Sequence, residues 1–592
     1  SAYSIYHKCD EFIQAMIRIF KQQNDILSLY EHTAIIYGRA ISVCNQLYQI
    51  TRDKKYLNEA FYFSEQSKAG SLLLSMNKID ALQFAGIPDS ILKLEQQLRV
   101  DRTYYNQKYV QQTIGTDAQD SLLVVNYHSK WLENARRHHE LIQHIESEYP
   151  KYYQLKYNLN TPAISEVQQQ LIDQNSAILE YFVSDSTIFI FTITQHQFDV
   201  IEVKDVESIL IRSANLRAVI SQTNQQPTAN KNLSLTSQHH ATYRDDASTL
   251  YDQILAPAVK RLPPSISKLL IVPDNQLGYL PFELLLTEPV CDEQKRYVDY
   301  PFLLKQYTIN YGYGVRLLMN ESQSVAKSQY HYGGFAPIYL GGNDQYATQS
   351  TSDEQLEIVM RNGLNDLPAA RKSIANISRL LSGDAYLSEQ ATEANFKQKA
   401  DLYNILHLAM HSVVNSNNPL YSKLVFSPVD DQDEDNFLNA MELYDMQLTA
   451  ELAVLGACNT GYGEIQQGEG IMSISRAFAY AGCPSIVASL WNIPDESTAE
   501  LTQRFFKALK AGLPKDEALR KAKLSYLNEN PDRLTAPFFW AGIVHIGNAD
   551  AIAMAPINGN NYGSWLWLLL GLGVVASGSY QLLRKRTKLA SV

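Results

Sequence analysis

The spacing of apolar residues changes abruptly part-way along the chain, and the change limits what the chain can fold into. Up to about residue 155 apolar side chains recur three and four apart, as in Ile36, Ala40, Val43, Leu47 and Ile50, and proline is almost absent. That is the pattern of helices with one buried face. Then Ala177-Ile178-Leu179-Glu180-Tyr181-Phe182-Val183 and Thr187-Ile188-Phe189-Ile190-Phe191-Thr192 follow, rich in β-branched and aromatic residues and separated by a polar turn. They are expected to pair as a hairpin at the edge of a larger sheet. From 268 on, apolar runs at 268–272, 405–410, 452–457, 485–490 and 541–546 alternate with helical stretches around 370–382, from about 470, at 495–511 and at 515–527. Alternation of this kind predicts a mainly parallel sheet with helices on both faces. Sites in such sheets form at the carboxyl ends of strands.

The helical part divides further. Residues 33–51 and 56–77 read as a helical hairpin turning at Arg52-Asp53-Lys54, with the length of a tetratricopeptide repeat and small-large alternation at Ala60, Phe63 and Ala69. The full repeat consensus is missing, and a plain helical bundle fits the same residues. Gly86-Ile87-Pro88-Asp89-Ser90 breaks and recaps the helices. Two polar helices follow, about 89–112 and 118–148. The expected units are helical repeats over 1–84, a helical hairpin linker over 85–155 and an α/β domain over 156–548. Within the last, 221–247 reads as an exposed loop, being rich in Gln, Asn, Ser and Thr.

Composition excludes several function classes. A net charge of −11 argues against nucleic acid as a partner, because that partner requires a basic face. Five unclustered cysteines form neither a disulfide framework nor a zinc set. No phosphate-binding glycine loop is present, and no cofactor is called for. The acidic run Asp430-Asp431-Gln432-Asp433-Glu434-Asp435 lacks the glycine and distal glutamate of a calcium loop, so it reads as a solvated loop and no metal site is assigned.

Chemistry concentrates at two strand ends. Ile405-Leu406-His407-Leu408-Ala409-Met410-His411-Ser412 and Leu452-Ala453-Val454-Leu455-Gly456-Ala457-Cys458-Asn459-Thr460-Gly461 each pass from an apolar run to a residue capable of acyl transfer. A cysteine hydrolase needs a thiolate, a base and donors for the developing oxyanion. Cys458 sits among small residues that let a substrate backbone approach. The backbone N–H groups of Cys458 and Ser412 are the candidate oxyanion donors. His407 competes as base but lies inside the strand and reads as a packed residue, and Cys483 reads as core. A histidine about 50 residues upstream of an Ala-Cys turn is the caspase order.

The stretch 405–547 resembles the CHAT peptidases, caspase-like domains that accompany tetratricopeptide repeats and share a clan with separase. The residues carrying the resemblance are 406–411, 457–461, Gly468-Glu469-Gly470 with Arg476-Ala477-Phe478, and Ser489-Leu490-Trp491-Asn492-Ile493-Pro494-Asp495-Glu496-Ser497-Thr498. Upstream, Ile271-Val272-Pro273-Asp274 with Leu280-Pro281-Phe282-Glu283 fits, as does the ending Pro537-Phe538-Phe539-Trp540-Ala541-Gly542. The resemblance implies an α/β caspase-like sandwich after an all-α helical-repeat region, with His411 the base and Cys458 the nucleophile. One departure is Ser412, where the family usually has glycine. Limited proteolysis of a protein substrate is the implied activity, with the repeats binding a regulatory protein or the substrate. The rivals are a CHAT scaffold without turnover and a cysteine redox sensor. Two roles stand open for Asp495. By resemblance to separase it forms, with Glu496 beside it, the acidic floor of a pocket for a basic residue; by position it caps the helix starting at 496.

Residues 564–583 carry no charge, with Trp565 and Trp567 at their first end and Arg584, Lys585, Arg586 and Lys588 after them. They are expected to form a transmembrane helix between a linker at 549–563 and a basic tail at 584–592. The positive-inside rule would put the soluble part outside the cytoplasm, in the periplasm; a cytoplasmic tail-anchored protein is the alternative.

Overall fold

The computed structural model describes all residues except 1, 21–22, 115–120, 222–236, 293, 322–330, 340–363, 416–417, 430–433, 457–459, 462, 467–468 and 554–592. In the helical region Gln23–Thr51 and Lys55–Gln66 form the expected hairpin, with Arg52 at φ 59° making the turn. The second helix does not run through to 77. It breaks at Ser67-Lys68-Ala69, where Ser67 Oγ donates to Ser64 O at 2.6 Å and Ala69 takes φ 44°, and a new helix starts as Gly70–Phe84. The break turns the polar groups of residues 64–71 towards the α/β domain. Helices Asp89–Ile114 and Ser121–Glu148 then pack together, with Tyr109 stacked on Trp131 at 6.3 Å.

Among the described residues the sheet has eleven strands. In chain order its members and those of two small sheets are β1 (Ser176–Val183), β2 (Ile188–Ile193), β3 (Phe198–Val203), β4 (Lys268–Val272), β5 (Thr308–Tyr311), β6 (Tyr332–Ala336), β7 (Asp384–Leu387), β8 (Ile405–Leu408), β9 (His411–Val413), β10 (Lys423–Val425), β11 (Phe437–Asn439), β12 (Leu452–Leu455), β13 (Glu464–Gln466), β14 (Gly470–Met472), β15 (Ser485–Ser489) and β16 (Ile543–Gly547). The large sheet runs β3-β2-β1-β4-β5-β16-β15-β12-β8-β6-β7. The expected hairpin is β1–β2, with Ile178 opposite Ile193, and β3 extends it to the edge. The sheet is not uniformly parallel. β1, β4, β5 and β16 are parallel, as are β15, β12, β8, β6 and β7, and the two groups meet at the antiparallel pair β15–β16. Of the loop expected over 221–247, residues 237–247 lie in the helix Ser237–Leu250, and 222–236 are outside the described residues.

Helices cover both faces of the sheet. Tyr332 and Phe335 of β6 point to opposite faces by the alternation of a strand. Tyr332 meets Phe506 of the helix Asp495–Lys510, whereas Phe335 meets Phe396 of Glu393–Lys399. One apolar core joins the helical region to the sheet: Tyr30, Tyr37, Phe61, Phe63 and Leu72 belong to the same cluster as Phe182, Phe191, Leu406 and Ala453.

The membrane anchor is a correction. No helix among the described residues is long and apolar enough to cross a membrane, which overturns the single-pass placement; residues 564–583 themselves lie outside the described residues. The long helices fail on charge. Asp89–Ile114 has 26 residues but carries Lys93, Glu95, Arg99, Asp101, Arg102 and Lys108 along its length.

Gly70 shows how tightly the helical region is seated, because a Cβ there would lie 1.9 Å from the Tyr30 ring. Gly70→Ala is expected to lower stability by about 2–3 kcal/mol, read from the urea midpoint of the variant against wild type.

Candidate active site

β8 and β12 are neighbours in the parallel half of the sheet, with Leu408 opposite Leu455. Ala409 N–H donates to Phe335 O at 2.9 Å, and Gly456 N–H to Leu408 O at 2.8 Å, so both chains leave the sheet side by side. His411 stands three residues beyond Leu408, and in sequence Cys458 stands three residues beyond Leu455. Cys458 itself, with Ala457 and Asn459, lies outside the described residues.

His411 is not the last residue of β8, as a strand over 405–410 would have made it. The strand ends at Leu408, and His411 opens β9 in a separate antiparallel sheet, opposite Val425 of β10. Its ring is held from two sides. Nε2 donates to Asn365 O at 2.7 Å, and Tyr339 packs edge-on at 4.7 Å while its hydroxyl accepts the His411 N–H at 3.1 Å. A carbonyl oxygen only accepts, so the proton belongs on Nε2 and Nδ1 carries the lone pair. Burial lowers the pKa below the ordinary histidine value, against the opposing pull of the Asn365 carbonyl and Asp366. The ring is therefore neutral at pH 7. Asn365, Tyr339 and Asp366 had no sequence signal, since they lie 72 to 45 positions before His411 and reach it only through the fold.

Ser412 pairs with Leu424 in the same small sheet, so its backbone belongs to a ladder. His407 is a packed residue. Its Nδ1 shares a hydrogen bond with the Tyr332 hydroxyl at 2.9 Å, its ring lies against Phe506, and burial drives its pKa down to about 3. A second histidine constellation, His545 between Ser485 Oγ at 2.8 Å and Asn310 Oδ1 at 2.7 Å, resembles a hydrolase triad in composition. All three residues are buried within strands of the sheet, leaving a substrate no approach.

Asp495 is a cap, but of a different helix from the one expected. Asp495–Lys510 begins at Asp495 without a side-chain cap. The carboxylate instead accepts from Ala369 N–H at 2.8 Å and Ala370 N–H at 2.9 Å, in the first turn of Pro368–Leu381. Burial raises its pKa, with the two N–H donors opposing. Glu496 is exposed and lines a cleft of about 740 Å³ between this helix, Pro368–Leu381 and Lys515–Glu529, together with Lys372 and Arg504. The structure therefore separates the two acids: one is bonded to backbone, the other faces a cleft.

Glu434, from the acidic run, meets Glu393 and Glu442, their oxygens within 4.8 Å of one another. Lys397 Nζ stands among them at 2.6 Å from Glu434, 2.8 Å from Glu393 and 2.6 Å from Glu442. The ammonium fills the position a cation would take. Burial, with Glu442 next to it, pushes Glu393 up to about 9.

Beyond the cysteine the chain is pinned again. Gly461 N–H donates to Ser489 O at 2.8 Å, and Ser475 N–H to Thr460 O at 2.9 Å. A Cβ at Gly463 would lie 1.7 Å from Met472 O, so this position requires glycine.

The family model described as the CHAT domain matches residues 244–548. The chain belongs to the CHAT domain family. A tetratricopeptide-like helical region precedes the domain, and the curated proteins it resembles carry repeats of that kind in name. Tetratricopeptide repeat protein 28 of Homo sapiens is 22% identical over 359 residues, covering 54% of this chain and 14% of that protein. Its namesake in Mus musculus is 22% identical over 419 residues, covering 64% of this chain and 16% of its own length. The chain thus spans less than a fifth of either relative. Among solved structures, the Saccharomyces cerevisiae separase–securin complex is 9% identical with a TM-score of 0.41, covering 91% of this chain and 48% of that one. The Arg-specific cysteine proteinase gingipain R is 9% identical with a TM-score of 0.32, covering 58% and 76%.

Two outcomes follow from the CHAT domain's geometry. Asp495→Ala should lower stability by about 1 kcal/mol through loss of the cap, and Asp495→Asn by less, as judged by thermal unfolding. His407 stays neutral when folded and takes a proton when unfolded, so its contribution is full above pH 6.5 and is lost as pH falls towards 3. Urea unfolding at pH 6 and 4.5 should show a stability loss about 2 kcal/mol smaller in His407→Gln than in wild type.

Proposed function

We propose that this CHAT protein is a cysteine endopeptidase that cleaves a protein substrate at a limited number of sites, with Cys458 as nucleophile and His411 as base. The observation that carries the reading is the equal offset of the two residues from a registered pair of neighbouring parallel strands, Leu408 opposite Leu455. Adjacent strands lie about 4.8 Å apart, so two chains leaving them side by side support a dyad formed from the residues that follow. His411 supports the role by its state as well as its place. Its Nε2–H is fixed by the Asn365 carbonyl, and its Nδ1 lone pair is available to take the thiol proton.

In this mechanism His411 removes the proton from Cys458, the thiolate attacks the scissile carbonyl, and the imidazolium returns the proton to the leaving amine. Water then hydrolyses the thioester with His411 again as base. The N–H of Cys458 is the proposed oxyanion donor, and that of Ser412 the second, provided the β9–β10 ladder yields to substrate. Glu496 and Asp495 are proposed to select a basic residue before the scissile bond, Glu496 by its exposed carboxylate and Asp495 as the group that holds the neighbouring helix. The helical region is proposed to bind a protein partner: Leu94, Val100, Leu122, Val125 and Leu132 stand exposed on its two long helices.

The test is to expose matched proteomes to wild type, Cys458→Ala and His411→Ala and to sequence new N-termini. Cleavages present with wild type and absent with both variants are expected, with a basic residue before each cut. Identical N-termini in all three samples would instead leave a binding scaffold on a peptidase fold.

A further inference from the structure

The family match begins at 244, yet the segment that follows Cys458 is tied to residues far ahead of that boundary. The tie is Glu469. It is almost wholly buried, and its two carboxylate oxygens accept from Ser71, Oε1 from the backbone N–H at 2.8 Å and Oε2 from the hydroxyl at 2.7 Å. Ser71 stands in the first turn of the helix Gly70–Phe84, so the carboxylate also meets the positive end of the helix. Arg476 closes the other side, its guanidinium pairing with the Glu469 carboxylate and bonding the Glu469 carbonyl. The Tyr480 hydroxyl adds a contact to Ser71 Oγ.

Arg476 and Tyr480 belong to one helix, Ile474–Tyr480, and that helix holds the exit of the candidate nucleophile's turn. Ser475 N–H donates to Thr460 O at 2.9 Å, two residues after Cys458, and Thr460 Oγ1 accepts from Ser489 N–H at 3.2 Å. On the opposite side the Tyr279 hydroxyl donates to Gly463 O. Buried hydrogen bonds therefore lead from the helical region through Glu469 to Arg476, and the short helix carrying Arg476 continues the link through its neighbour Ser475 to Thr460. Only a glycine at 70 lets the helix start this close, since the Tyr30 ring leaves no room for a side chain.

We infer that the helix Gly70–Phe84 is part of the working unit of the peptidase, with Ser71 and Glu469 as positioning residues that act through Arg476 and Thr460. The inference rests on the proposed role of Cys458. On this account the CHAT region cannot set its own strand-end geometry; the helical region supplies the missing donors. Any displacement of that helix is transmitted to Thr460, because each group in the chain loses a buried partner when the previous one moves.

The experiment uses the full chain and iodoacetamide as probe, following alkylation of the Cys458 peptide by mass spectrometry across pH 5 to 9. Wild type, Ser71→Ala, Ser71→Thr, Glu469→Gln and His411→Ala are compared, with labelling of buried Cys483 reporting any unfolding. Ser71→Ala and Glu469→Gln are expected to raise the pH midpoint of Cys458 alkylation and to slow it roughly tenfold at pH 7, with Cys483 still protected. Ser71→Thr should restore the wild-type profile, which a loss of packing alone would not predict. If Glu469→Gln exposes Cys483, Ser71→Ala decides, since it removes one hydroxyl and leaves the backbone bond. A wild-type midpoint and rate in Ser71→Ala would overturn the inference. His411→Ala decides the dyad separately: an unchanged profile there removes the proposed base, whatever the Ser71 variants show.

Discussion

Six ionisable side chains are buried together where the helical region meets the α/β domain. Glu65, Glu180 and Glu469 face Lys68, Arg316 and Arg476, and none is more than a few per cent exposed. Taking one such charge out of water without a partner costs several kcal/mol, so the set is tolerable only as a matched group of three acids and three bases. Glu65 and Glu469 are also met by fixed backbone donors, whereas Glu180 is bonded through Oε1 and its Oε2 is buried without a hydrogen-bond partner among the described residues. Glu65 accepts from the N–H groups of Val315 at 3.0 Å and Arg316 at 2.6 Å, and Lys68 reaches Glu180 at 3.1 Å. Arg316 returns a bond to Leu159 O at 3.2 Å. All of these groups depend on the break at residues 67–69, which opens the helical hairpin and presents a polar turn to the sheet. Elsewhere the interface combines apolar packing with further polar pairs, such as Arg102 with Asp445 at 2.9 Å and Asn320 with Asn77 at 3.1 Å, and the buried seam adds to the contacts that fix its register.

The same seam explains why the helical region and the CHAT domain share a core. A hydrophobic face alone would let the helices slide, whereas paired charges in a low-dielectric interior punish any offset. Glu469 extends the constraint to the segment after Cys458. The β15–β16 antiparallel pair extends it in another direction, by joining two parallel groups whose carboxyl ends point opposite ways. The two groups thus offer strand ends on opposite edges, and His411 and Cys458 come from the same group.

Much of this was legible from residue pattern. The strands β1, β2, β4, β8, β12, β15 and β16 and the helices Pro368–Leu381, Asp495–Lys510 and Lys515–Glu529 were expected close to where they lie, because long buried runs and strong amphipathic periods dominate local choice. β5, β6 and β7 were missed: four or five residues each, with Gly333 and Gly334 inside β6, they carry too little pattern to stand out. The end of β8 was overrun for a related reason. Ala409 and Met410 are as apolar as the strand before them, and only the pairing of His411 with Val425 shows that the chain has changed sheets. Of the two roles open for Asp495, the cap was suggested because an acid beside a helix start is a local signal, but the N–H groups it holds, those of Ala369 and Ala370, are more than a hundred positions away.

By itself the sequence determined the order of helical region and α/β domain, the CHAT resemblance, and the histidine and cysteine that follow two apolar runs. These are local facts: periodicity, residue type and spacing survive in one dimension. Tertiary structure alone decided which strands are neighbours, that Asn365 and Tyr339 hold His411, that Asp495 serves another helix, and that Ser71 grips Glu469. Each is a contact between residues distant along the chain. Such a contact exists only once burial has brought the partners together and removed the water that would otherwise satisfy them.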